Sequence, residues 1–67
     1  MTVTRHLLGP GITYADINRR IAWCRRQFGA SYSHNGVWVG GNWWLDGTHS
    51  FLFRNRSDAV WFKIAWS

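Results

Sequence analysis

The sequence predicts an α+β fold: an N-terminal arm, one amphipathic helix, an antiparallel meander of three to four strands and a short C-terminal helix. Three observations carry this. Residues 13–28 space their apolar side chains at helical intervals behind a capping signal. Residues 30–53 hold two hairpin dipeptides, Asn35-Gly36 and Asp46-Gly47, between short apolar runs. Residues 51–66, FLFRNRSDAVWFKIAW, pass from alternating aromatics to a dense apolar run across the polar break Arg54-Asn55-Arg56.

The elements follow in order. Met1 to Gly11 reads as an extended arm, anchored by Val3, Leu7 and Leu8 and suited to an edge strand. Gly9-Pro10-Gly11 is a turn that ends it. Thr13 caps the first helix, with Asp16 at N3 in a T-x-x-D capping box, and Gly29 terminates it. Tyr14, Ile17, Ile21, Cys24 and Phe28 form one narrow stripe, the expected core face. Trp23 falls on the opposite side, with Arg19 at i−4 and Arg26 at i+3 on the same outward face. Arg20 and Arg25 flank the stripe and extend their heads into water.

In the middle, Asn35-Gly36 joins roughly 30–34 to 37–39, and Asp46-Gly47 joins 42–45 to 48–53. Gly40-Gly41 is either a bulge in one long strand or a turn between two. A tight Asp46-Gly47 turn places Trp44 opposite His49, on one face with Phe51 and Phe53. Trp43 and Leu45 then share the other face with Leu52. One sheet face meets the helices; the other is covered by the arm or open to a partner. In the last segment Ser57 is the expected N-cap and Asp58 sits in the first turn. As a helix it places Ala59, Phe62 and Trp66 on one side and Val60, Trp61 and Ile64 on others. As a strand, Val60, Phe62, Ile64 and Trp66 alternate with Ala59, Trp61, Lys63 and Ala65. The Ser-Asp start and the two alanines favour helix. A helix apolar nearly all round needs cover on several sides, which points to a second chain and a homo-oligomer.

The 67 residues make one domain. A chain this short buries only about 60% of its unfolded surface. Cys24 is the only cysteine, so no disulfide closes within the chain. Six tryptophans, four phenylalanines and two tyrosines are the compensation, because each large aromatic buries roughly 150–250 Å².

Eight Lys and Arg residues oppose three Asp, for a net charge of +5. This balance favours anionic partners. No apolar run approaches the roughly 20 residues of a membrane span, and the N-terminus carries no signal pattern. The expected location is the cytoplasm. Each aspartate has a structural explanation: Asp16 in a capping box, Asp46 in a hairpin turn, Asp58 at a helix start. Cys24 lies on the apolar stripe and behaves as a small hydrophobe. Together with Cys24, His6, His34 and His49 match no zinc spacing. Gly40-Gly41 lacks the Gly-Lys-Ser/Thr of a phosphate loop. No metal, cofactor or small-molecule substrate is expected, and an enzyme would need a cleft around His49.

The candidate functional residues are therefore binding residues. Trp23, with Arg19, Arg26 and Arg20, offers a flat stacking face among planar cations. That combination holds single-stranded nucleic acid and is equally typical of protein hot spots. Arg54 and Arg56 form a second basic site beside the last helix's N-terminus. Trp38, Trp43 and Trp61 make the alternative, aromatic surface for a protein partner.

The closing segment resembles a C-terminal motif of small uncharacterised tailed-bacteriophage proteins: a strand of alternating aromatics, then a helix reading roughly D-A-x-x-F-x-L-x-W. The matching positions are Phe51, Phe53, Asp58, Ala59, Phe62, Ile64 and Trp66, with Ile64 in place of leucine. The resemblance spans about a quarter of the chain and implies a phage origin. The expected function is that of a non-enzymatic, phage-type accessory protein docking on nucleic acid or a nucleic-acid-handling complex in the host cytoplasm. The alternative is a protein-binding inhibitor of a host enzyme or a small virion component.

Overall fold

The computed structural model describes residues 3–47 and 49–66. In chain order the elements are β1 (Thr4–Leu7), α1 (Tyr14–Phe28), β2 (Tyr32–His34), β3 (Val37–Gly40), β4 (Trp43–Asp46), β5 (Ser50–Phe53) and α2 (Arg56–Ala65). The fold is α+β, with a C-terminal helix and all strand pairs antiparallel. The strands divide into two sheets, β1-β5-β4 and the hairpin β2-β3, in place of the single meander expected.

The division falls at Gly40-Gly41. β3 ends at Gly40 and β4 starts at Trp43, so the chain bends at Gly41-Asn42 between two strands. Gly41 has φ +88°, and a Cβ there would lie 2.6 Å from the Ala30 carbonyl oxygen. Only glycine fits that approach. Asn35 (φ 52°) and Gly36 (φ 77°) supply the two positive dihedrals of a type I′ hairpin turn.

The second hairpin corrects the expected register. Trp44 pairs with Leu52, three residues beyond the expected His49, and Asp46 pairs with Ser50. The loop is 47–49, longer than a two-residue turn; its Thr48 lies outside the described residues. An odd shift exchanges the faces. Trp43, Leu45, Phe51 and Phe53 now share the core face, and Trp44 and Leu52 take the other. The burial of Trp43, Phe51 and Phe53 is the physical reason, since only this register puts all three under the helices.

The arm forms the edge strand: β1 pairs with β5 from Thr4↔Phe53 to Leu7↔Ser50. Its residues Met1 and Thr2 lie outside the described part.

The capping box of α1 is present. The Asp16 backbone N–H donates to Thr13 Oγ1 at 3.2 Å, and the Thr13 N–H donates to the Asp16 carboxylate at 3.3 Å. The Thr13 hydroxyl, which donates to the Asp16 carboxylate at 3.0 Å, and then the Thr13 N–H hold that carboxyl below its ordinary pKa. Ile17 and Cys24 are buried, and Ile21 and Phe28 pack on the core. Tyr14 departs from expectation at 77% exposed: the stripe engages the core only from Ile17 onward.

The last segment is helical. It begins one residue earlier than expected, at Arg56, with Asn55 as N-cap. The Asn55 carbonyl accepts from the Asp58 and Ala59 N–H groups. Ser57 stands exposed inside the first turn and caps nothing. Ala59 and Phe62 turn inward, and Phe62 stacks on both Phe51 and Phe53 at 4.9 and 5.3 Å between ring centroids.

Candidate binding surfaces around the C-terminal helix

Trp23 does not look out alone from the far side of α1. Its ring is half-buried in the seam with α2, at centroid distances of 5.9 Å from Phe62, 6.3 Å from Trp66 and 6.4 Å from Trp61. The narrow stripe assumed a helix with one neighbour. α1 meets the sheet on one side and α2 on another, so its covered arc is wider than the stripe. Trp61 stands over Trp23 and is 50% exposed. The open aromatic face at this seam therefore belongs to Trp61, with Trp23 as its support.

Arg19 and Arg26 lie on the Trp23 side of α1, and both are exposed. Arg19 is 3.7 Å from the Asp16 carboxylate across exposed side chains, an ion pair of little strength. Arg26 makes no ion pair among the described residues. Arg20 is a different case. Its guanidinium lies 4.5 Å from the Trp66 ring centroid, and its Nη1 donates to the Asp16 carbonyl at 3.0 Å. Arg20 clamps α1 to the end of α2.

Three further expected binding residues are reassigned. Trp43 is 2% exposed and its indole N–H donates to the Gly29 carbonyl at 2.8 Å, so it is core. Trp38 donates to the Gly40 carbonyl at 2.7 Å and carries the Arg54 guanidinium 4.5 Å from its ring centroid. Arg54 also donates to the Gly41 carbonyl. This pair fastens the β2-β3 hairpin to the three-stranded sheet. Arg54 is thus committed to the hairpin.

Arg56 instead lines a groove of about 210 Å³ between β1 and α2, with Thr4, Arg5, His6, Ala59, Val60 and Lys63. Arg5 lies 3.4 Å from Asp46 in an exposed pair, whereas Arg56 and Lys63 make no ion pair among the described residues. No carboxylate lines the groove. His6 packs edge-on to Phe62 at 5.1 Å. Partial burial, and then Lys63 and Arg20, lower its pKa from 6.5. Sequence reasoning missed Arg5, His6 and Lys63. One signal was present: Arg56 and Lys63 stand seven apart, on one helix face.

α2 thus separates two surfaces. Around its exposed arc, at 100° per residue, come Lys63 and Arg56 beside β1, then Val60 and Ile64, then Trp61 beside α1.

A shallow cavity of about 200 Å³ holds His49 with Ile12, Tyr14 and Ile17, and no carboxylate or thiol lines it. Cys24 is fully buried, and burial pushes its thiol pKa up to about 12. Among the described residues no cluster of His, Cys, Asp and Glu is placed to hold a metal. No helix among them is long and apolar enough to cross a membrane. No family model matches the chain, and neither a curated protein nor a solved structure matches it.

Proposed function

We propose that this is a non-enzymatic binding protein that docks on single-stranded nucleic acid, or on a complex handling it, through the seam of α1 and α2. The observation that supports this reading most is the half-exposed Trp61 ring seated on Trp23, with Arg19 and Arg26 on the same side of α1. A base stacks on an exposed indole whatever its identity, and exposed guanidinium groups bind the phosphates on either side. The resemblance of residues 51–66 to small phage proteins supports reading it as an accessory protein of phage origin, acting in the host cytoplasm. Titration of the protein with oligothymidylate at low salt, read by tryptophan fluorescence, tests the proposal. Saturable quenching that Trp61→Ala abolishes is the expected result. No change in emission at any oligonucleotide concentration overturns it.

One observation favours a second reading. Val60, Trp61 and Ile64 are 49%, 50% and 62% exposed, an apolar strip along α2. Such a strip suits a protein partner, either a host enzyme or a virion neighbour, or a second copy of the chain. This version predicts a complex that survives high salt and is lost on Trp61→Ala.

A further inference from the structure

The groove between β1 and α2 lies apart from the Trp61 seam, and its lining has a regular construction. One wall is three consecutive residues of an edge strand, Thr4, Arg5 and His6. The other is Arg56, Ala59, Val60 and Lys63, at i, i+3, i+4 and i+7 of a helix.

Among the described residues β1 pairs with β5 alone, which leaves its second edge unpaired there. The polarity of that edge follows from the ladder. The Leu8 N–H donates to the His49 carbonyl at 2.7 Å, in the same register as Thr4↔Phe53 and His6↔Phe51. In an antiparallel ladder the residues facing the partner strand alternate. The backbone groups of Leu8, His6 and Thr4 therefore turn toward β5, and those of Arg5 and Leu7 turn toward the open edge. The groove runs beside that edge.

We infer that this groove binds an acidic peptide segment in extended conformation, which adds to β1 as a further antiparallel or parallel strand. Main-chain bonds to Arg5 and Leu7 supply the pairing, as in other cases of strand addition beside a helix. Charge complementarity selects the occupant: Arg56 and Lys63 line the groove with no ion-pair partner among the described residues, while the Arg5 guanidinium is held by Asp46. Val60 and Ala59 give the alternate side chains of the peptide an apolar floor. A nucleic acid would use the cations but leave the strand edge unpaired, which is why a peptide is the better fit. The inference stands independently of the Trp61 seam.

The test uses the full ¹⁵N-labelled chain and a synthetic peptide of alternating valine and glutamate, with oligothymidylate of matched charge as the competitor. The peptide is expected to shift the amide signals of residues 4–7 and 56–63 and to slow hydrogen exchange at Arg5 and Leu7. Lys63→Glu, at an exposed position, is expected to weaken binding by about tenfold or more through charge reversal. Leu7→Pro removes an edge donor that β5 does not use and is expected to weaken peptide binding and to reduce the exchange protection at Arg5. Should Leu7→Pro fail to fold, Lys63→Glu and the exchange data decide alone. Shifts confined to other residues, binding indifferent to Lys63→Glu, unchanged exchange at Arg5 and Leu7, or displacement of the peptide from the groove by oligothymidylate would each overturn the inference.

Discussion

At the scale of single residues, tryptophan does two kinds of work. Trp43 is sealed between the sheet and the helices and bonded to Gly29, so Trp43→Ala leaves a large cavity and removes the Gly29 carbonyl's indole donor. It should lower stability by about 3–5 kcal/mol, measured by urea unfolding. A domain of this length has little more to lose. Trp61 is half in water, and truncating it should leave the fold in place while removing the stacking face; a cooperative melt beside lost oligonucleotide quenching is the expected pair of results. Cys24 offers an independent check on packing. Its thiol is fully buried, and its pKa is raised by desolvation to about 12. An aromatic disulfide reagent at mildly alkaline pH should leave it unmodified in the native protein and modify it promptly in denaturant.

At the scale of elements, the local signals were legible where the chemistry is local. The Thr13–Asp16 box, the Gly29 stop and the Asn35-Gly36 turn each depend on a few adjacent residues, and each is present. What depends on distant residues was not legible. The Asp46-Gly47 dipeptide suits a tight turn, but burial of Trp43 against the Phe51–Phe53 strand sets the register and lengthens the loop. In the same way, the outward position of Trp23 followed from one helix considered alone, and α2 covers it. Gly41 sits at the junction of the two sheets. Gly41→Ala forces a Cβ toward the Ala30 carbonyl at a positive φ, so it should destabilise the protein strongly while the corresponding change at open Gly9 does little. Thermal melts of the two variants make the comparison. The β1–α2 contact carries a pH dependence. His6 faces Phe62 and Lys63 of α2 and Arg20 of α1, and its pKa is lowered from 6.5 by burial first and then by those cations. The unfolded chain then binds the proton more readily than the folded one. The neutral-His6 contribution to stability is complete above pH 6.5 and is lost as pH falls through the lower folded value. Melting temperature should decline on that acid side, and less so in Lys63→Gln.

At the scale of the whole molecule, charge and aromatic area act together. A net charge of +5 arises from eight cations and three carboxylates. Arg20 and Arg54 stack on Trp66 and Trp38 and hold elements together. Arg19 and Arg5 are weakly paired on the surface. Arg25 and Arg26 of α1 and Arg56 and Lys63 of α2 remain exposed, and their field draws anions to the protein. Counterion release measures the proposed capture of a single-stranded polyanion on the cationic, indole-bearing face. Each phosphate neutralised on a single strand contributes about 0.7 to the fall of log K with log salt. With two to four phosphates engaged, the oligothymidylate affinity should fall with a slope between about −1.4 and −2.8. A slope near zero, or no binding even at the lowest salt, would contradict the account.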